Sequence, residues 1–277
     1  MRFSLIIGTL DREQQLEECI THLLAQTFQD FEIIIVDQSA KENEHIANRS
    51  DKITYLHVDY KGLSRARNDA LRIAVGEYVC LVDDDGLYET DVLEKADAVL
   101  KREMPTIMGG KLMDPQSGQC DCAASRAVVH WHAAFSYMCS PTMMIKRTFA
   151  LTHPFDERFG VGAEYGSGEE TDIIFAALAE GKRVLYTNEY TVMHPVRRGG
   201  GLDYTRIAKY AYGQGALLAK IQKRYSWFWG TALFCKVFFG NKMAAVILTL
   251  FRKERAQLRQ IKAKELLRGF KSYLRGE

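Results

Sequence analysis

A chain of 277 residues, 47% hydrophobic and 26% charged, has apolar mass for one large domain or a domain with an appendage, which excludes the disordered and staple-dependent classes. Its six cysteines (Cys19, Cys80, Cys120, Cys122, Cys139 and Cys235) form no C-x-x-C pair and no zinc-finger spacing. The net charge of +2 hides an asymmetry: residues 252–277 carry nine basic side chains against three acidic ones, a local +6, and the other 28 basic and 32 acidic residues leave −4 elsewhere.

The cysteine usage, and a first apolar stretch that begins at Phe3 without a secretory leader, lead us to expect reduced thiols in a cytosolic compartment. Cys120 and Cys122 are either metal ligands or an incidental C-x-C in a polar loop.

In chain order, residues 3–7 read as a buried strand, and residues 13–26 carry helical spacing at Leu16, Ile20, Leu23 and Leu24. Residues 31–36 form a second strand that stops at Asp37, and residues 53–58 a third. A helix over 63–75 closes at Gly76, a strand over 78–82 follows, and residues 90–101 are helical again. Strands alternating with helices imply an α/β fold, a mainly parallel sheet with helices on both faces. Residues 104–159, with His130, Trp131, His132, Phe135, Tyr137 and the apolar Met143-Met144-Ile145, read as strands and loops walling a pocket. A helix over 171–180 opens on acidic residues, residues 202–224 are helical, and residues 227–251 are strongly apolar and aromatic.

The strand over 78–82 delivers three consecutive aspartates, Asp83, Asp84 and Asp85. Like charges on one short turn repel one another unless a cation or strong donors compensate them. In open α/β sheets ligands bind just beyond the carboxyl ends of the strands. Alternate residues of an extended segment point the same way, so Asp83 and Asp85 can converge on one ion while Asp84 faces elsewhere. The competing reading is a solvated turn in which one aspartate caps the next helix.

The ordered set Ser4-Leu5-Ile6-Ile7, Ile34-Ile35-Val36-Asp37, Gly62-Leu63-Ser64-Arg65-Ala66-Arg67-Asn68 and Gly76-Glu77-Tyr78 leading to Asp83-Asp84-Asp85 resembles family 2 glycosyltransferases with the GT-A fold, of the bacterial surface-polysaccharide type. Gly168-Glu169-Glu170-Thr171-Asp172 and Met193-His194-Pro195 fall where that family places its catalytic carboxylate motif and a late histidine. The likeness runs from residue 3 to about 198. It implies a Rossmann-like catalytic domain over 1–200, with a nucleotide-sugar half over 1–103 and an acceptor half over 104–200, followed by a helical extension over 201–277. The chain departs from the family at Gly8-Thr9-Leu10-Asp11, where Pro-Thr-Tyr-Asn is usual, and at Asp37-Gln38-Ser39, where Asp-Asp-Gly-Ser is usual.

The resemblance implies transfer of a hexosyl unit from a UDP-sugar to a saccharide hydroxyl, metal-dependent and inverting. Asp83 and Asp85 are expected to hold Mn²⁺ or Mg²⁺, with His194 as a third ligand that tilts the choice toward Mn²⁺. His194 alternatively ends a strand and bonds to backbone. The donor pocket is expected to use Thr9, Asp37, Arg67, Asn68, Asp83 and Asp84, with Asp37 accepting from a pyrimidine imide or simply starting a turn. Arg65 and Arg67 cannot face one direction on a regular helix, and Arg67 aligns with the family's Ala-Arg-Asn. Glu170 takes the family's base position, Glu169 orients the acceptor and Asp172 caps the helix; in isolation all three acids read as dipole-complementing caps.

In the tail, residues 227–235 are too short to span a bilayer before Lys236, and Asn241-Lys242 interrupts the next run. Aromatic residues beside basic ones are expected instead to lie on an anionic membrane surface, through residues 226–277, at the cytoplasmic face of the plasma membrane. These aromatics could otherwise pack on the catalytic domain or form a homo-oligomer contact. A lipid-linked acceptor, carried on a polyprenyl diphosphate, would follow from membrane association. No nucleic-acid partner is expected. A sugar-1-phosphate nucleotidyltransferase would open with a glycine-rich, basic phosphate loop, which Gly8-Thr9-Leu10-Asp11 is not; a non-catalytic nucleotide-sugar sensor would have no need of Glu170.

Overall fold

The computed structural model describes residues 1–120, 124–195, 203–249 and 251–276. Cys122 and the boundary expected at residue 200 lie outside these.

The strands and helices run β1 Phe3–Thr9, α1 Glu13–Leu24, β2 Phe31–Asp37, β3 Ile53–His57, α2 Leu63–Ile73, β4 Tyr78–Asp83, β5 Leu87–Tyr88 and α3 Val92–Glu103. They continue as β6 Ile107–Met113, β7 Arg126–Val128, β8 Met144–Lys146, α4 Arg147–Thr152, α5 Glu169–Ala179, β9 Val184–Met193, α6 Tyr204–Lys220, α7 Trp227–Thr249 and α8 Lys253–Arg275. The sheet order is β3-β2-β1-β4-β8-β6-β9-β5, with β7 paired to β9.

The four strands from β3 to β4 are parallel, as the β-α-β rhythm requires. The other half is mixed, which the sequence reading did not anticipate: β8 is antiparallel to both β4 and β6, and β5 and β7 are antiparallel to β9. Such short strands enter through loops rather than crossover helices, so no helical period announces them.

Alternation along the central strands sorts the core onto two faces. Leu5, Ile7, Ile33, Ile35, Cys80 and Val82 pack with Leu16, Ile20 and Leu23 of α1 and with α3. Ile6, Ile34, Val36 and Leu81 pack on the other face with Ala66 and Ala70 of α2 and with Ile173 and Ile174 of α5. The second cluster also contains Ala216, Leu217 and Leu218 of α6 and Leu266 and Tyr273 of α8, so the C-terminal helices share the core of the sheet. Two glycines permit this: a Cβ on Gly215 would lie 2.0 Å from the Leu266 carbonyl oxygen, and one on Gly269 would lie 1.9 Å from that of Tyr212.

A polar clasp adds to the junction. The Lys220 ammonium donates to Asp172 Oδ2 at 2.6 Å and Asp156 Oδ2 at 2.8 Å, and the Tyr225 hydroxyl donates to Asp172 Oδ1 at 3.0 Å. Asp172 is therefore not the cap the sequence suggested; its side chain faces inward and ties α5 to the end of α6. Burial opposes both charges. It is outweighed at Lys220, which faces two carboxylates and has its pKa raised, but not at Asp172, whose carboxyl is also raised. Lys220→Met leaves the buried Asp172 carboxylate without its cation, while Asp156 keeps Arg158 at 2.9 Å, and should cost about 3–5 kcal/mol. Urea unfolding of the two forms measures this, and a loss below about 1 kcal/mol, the scale of an exposed pair, would demote the clasp to surface chemistry.

The tail corrects a second expectation. Asn241 does not break the apolar run: it is buried, donates to the Val237 carbonyl at 2.9 Å and accepts from Arg259 Nη1 at 3.1 Å, so its polar groups are satisfied within the helix pair. Residues 227–249 form one 23-residue helix, long and apolar enough by length and composition to cross a membrane, with mean hydropathy 1.5 and 17% of its most apolar stretch buried. Gly230, Leu233, Asn241 and Ala245 face the protein, while Trp227, Phe239 and Val246 are exposed. Trp131 stacks on Trp229 at 6.1 Å and joins the middle of the chain to this helix.

Candidate active site

Parallel pairing sets Thr9 beside Asp37 and Gly8 beside Asp83, so the carboxyl ends of β1, β2 and β4 open on one edge. The turn after β4 closes through a Gly86 N–H bond to the Asp83 carbonyl at 2.9 Å. The chain then enters β5, whose Leu87 opposes Met193 at the end of β9. That antiparallel pair carries His194 to the aspartates. Its Nε2 lies 3.0 Å from Asp85 Oδ1 and 3.7 Å from Asp83 Oδ2, and its backbone N–H bonds to the Met113 carbonyl. Asp83, Asp85 and His194 each offer one ligand atom, all within 4.8 Å of one another.

Asp84, in the turn just beyond β4, points elsewhere. It accepts from Thr9 Oγ1 at 2.8 Å and from Arg12 Nη1 at 2.5 Å, and the second arm of Arg12 bonds Asp85. The sequence reading misses Arg12, which precedes the first turn of α1 and lies over 70 residues from its partners.

Burial raises the carboxyls of Asp83 and Asp84, the latter to about 6, despite Arg67 and His194 near the first and Arg12 and Thr9 on the second. Burial acts the same way on Asp85, but its bonds to His194 and Arg12 hold it below the usual carboxylate range. At His194 burial disfavours the imidazolium, yet the two aspartates prevail and raise its pKa. Of the two carboxyls that face His194, Asp83 thus remains under-compensated by the protein's own cations, which is the condition a divalent ion relieves. Two hard carboxylates with one imidazole suit Mn²⁺, and Mg²⁺ less well. The residues fit such an ion.

Arg67, 2% exposed, spans from this cluster to α5. It donates to Asp83 Oδ1 at 3.3 Å and Glu169 Oε1 at 3.0 Å, and also bonds Ser140. Arg65 instead lies 3.7 Å over the Tyr60 ring. Gly168, with φ of +103°, makes the left-handed turn that starts α5 and sends Glu169 toward Arg67. Glu170 faces a cleft, lined also by Phe135, Thr171 and Tyr210. Burial, and then the charge of Glu169, push its carboxyl up to about 8. A carboxyl raised in this way in a cleft is a candidate proton-transfer group.

Two expected donor residues have local work. Asn68 clamps Phe155, donating to its carbonyl and accepting its N–H, both at 2.9 Å. Asp37 is fully buried and accepts from the Ser39 N–H at 2.8 Å, Asn43 Nδ2 at 2.9 Å and the Tyr55 hydroxyl at 2.7 Å. A carboxylate has about four acceptor sites, so one remains on Oδ1.

Residues 4–149 match the family model described as Glycosyl transferase family 2. The chain belongs to this family. Among curated relatives, the glycosyltransferase GlyG of Streptococcus pneumoniae is 30% identical over 97 residues, covering 33% of this chain and 32% of that one. The poly(ribitol-phosphate) β-N-acetylglucosaminyltransferase TarS of Staphylococcus aureus is 24% identical over 214 residues, covering 72% and 36%. The chain thus spans about a third of the length of these family 2 relatives. Among solved structures, S. aureus TarS 1–349 in complex with UDP-GlcNAc superposes with a TM-score of 0.61 at 17% identity, over 100% of this chain and 93% of that one. The mannosyltransferase PcManGT of Pyrobaculum calidifontis, in complex with GDP-Man and Mn²⁺, gives 0.67 at 15% identity, over 100% and 88%. The fold is the GT-A fold of these family 2 structures, here with a C-terminal helical extension.

Proposed function

We propose that this family 2 chain transfers a hexosyl unit from a UDP-sugar to a hydroxyl of a saccharide acceptor, with inversion at the anomeric carbon. The observation that carries the reading is the convergence of Asp83, Asp85 and His194 at the strand ends, joined through Arg67 to the carboxylates that open α5. The TarS complex with UDP-GlcNAc supports a uridine donor.

Asp83, Asp85 and His194 would hold a divalent cation, which when bound supplies the positive charge that neutralises a departing diphosphate. Glu170 removes the acceptor hydroxyl proton as that oxygen bonds the anomeric carbon and the carbon–oxygen bond to the diphosphate breaks on the opposite face. Arg67 holds Glu169 in place through a bond at 3.0 Å, and the charge of Glu169 beside Glu170 favours the protonated form of that base. The exposed side of α7 with the basic α8 lies on an anionic membrane at the cytoplasmic face, bringing the site to a lipid-linked acceptor. Binding to anionic vesicles that falls as salt rises tests this part, and no binding at low salt removes it.

Because a base must be ionised to work and Glu170 is neutral below about pH 8, kcat/KM is expected to rise with pH through a limb centred near 8. A pH–rate profile flat from 6 to 9 contradicts the assignment. Screening nucleotide sugars for hydrolysis with and without Mn²⁺ tests the function itself. Turnover of a UDP-sugar that requires the ion is the expected result, and none with any nucleotide sugar, with or without acceptor, defeats it.

A further inference from the structure

The cleft that holds Glu170 is not walled by the catalytic domain alone. It measures about 290 Å³, and opposite Glu170 and Thr171 of α5 stand Ile207 and Tyr210 of α6 and Lys262 of α8. The C-terminal helices thus complete the space beside the proposed base. That volume is at the lower limit of ligand pockets and suits one sugar or polyol unit.

Lys262 is half-buried there and makes no ion pair or hydrogen bond among the described residues. Its near neighbour in charge is Arg259, whose partner is the neutral Asn241 side chain. Burial, and then Arg259, lower the Lys262 pKa, the response of a cation that lacks an anion. Glu170 across the cleft supplies none while it is protonated. A half-buried cation without a partner gains from an anionic ligand group, and the field of Arg259, which acts on Lys262 from outside the cleft lining, favours a doubly charged group over a single carboxylate.

We propose that this cleft is the acceptor subsite and that Lys262 selects an acceptor unit bearing a phosphate group, placing its hydroxyl at Glu170. The inference rests on the glycosyltransferase reading. Tyr210 and Phe135 offer aromatic faces to the ring, and Lys262 acts as the point charge.

The test titrates the full chain, with UDP and Mn²⁺ present, against glucose, glucuronate and glucose 6-phosphate by calorimetry. Glucose 6-phosphate is expected to bind about tenfold or more tightly than the other two, about 1.4 kcal/mol. Lys262→Met should abolish that preference and Lys262→Arg should retain it, as should Lys264→Met, whose exposed side chain lines other grooves. Equal affinity for the three sugars, or a preference that survives in Lys262→Met, overturns the proposal. Displacement of glucose 6-phosphate by a short-chain polyprenyl diphosphate sugar in micelles assigns the phosphate to a lipid-linked acceptor; displacement by soluble polyol phosphates alone assigns it to a free or polymeric one. Metal-dependent UDP-sugar hydrolysis by the wild type without phosphate preference sinks this inference and leaves the function standing, whereas loss of hydrolysis sinks the function first.

Discussion

Glu170→Gln is expected to lower sugar transfer about 10²–10⁴-fold, the usual contribution of a positioned base, while UDP-sugar binding stays within about threefold of wild type. Gln keeps the volume and the hydrogen-bonding capacity but cannot take a proton. Since Glu170 is already neutral below about pH 8, the variant resembles the resting enzyme and should fold with unchanged stability. Glu169→Gln provides the contrast. It leaves the buried Arg67 guanidinium without one of its carboxylates, so it should lose stability as well as activity. Steady-state UDP release, donor binding and thermal unfolding on both variants separate the roles. Transfer by Glu170→Gln within threefold of wild type removes this residue from the base role.

The second large effect concerns the aspartate cluster. Asp85→Asn takes away a ligand atom facing His194 and, on the other oxygen, a partner of Arg12. Metal affinity and metal-dependent donor turnover should each fall by about 10²-fold or more, beyond the 10–100-fold typical of losing only a supporting group around a metal. Asp84→Asn should lose less. It does not face the cluster, and its role is to hold Thr9 and Arg12. Turnover measured across a Mn²⁺ series gives both numbers, and equal losses in the two variants contradict the geometry.

Much of this was legible because its signals are local. The apolar runs ending at Thr9, Asp37 and Asp83 and the helical spacing of α1, α2 and α3 each report a period within a single element. The divergence of Asp84 from Asp83 and Asp85 is equally local, although a turn closed by the Gly86 N–H and not strand alternation produces it. What the sequence hides is pairing between distant segments. Arg12 reaches the aspartates across more than 70 residues, and Asn68 is committed to Phe155 across 87. The inward turn of Asp172 toward Lys220 reverses a reading based on helix-cap preference, because an acid in the first turn of a helix looks the same whether it caps or pairs. The same holds for Asn241, a polar residue in an apolar run whose effect depends on a partner in α8.

A Mn²⁺ titration followed by electron paramagnetic resonance, in the presence of UDP, tests the central claim most directly. The wild type should bind a single tightly held ion whose signal depends on UDP, and an Asp83→Asn/Asp85→Asn double variant with native circular dichroism should bind none. An identical Mn²⁺ signal from the folded double variant would contradict the account.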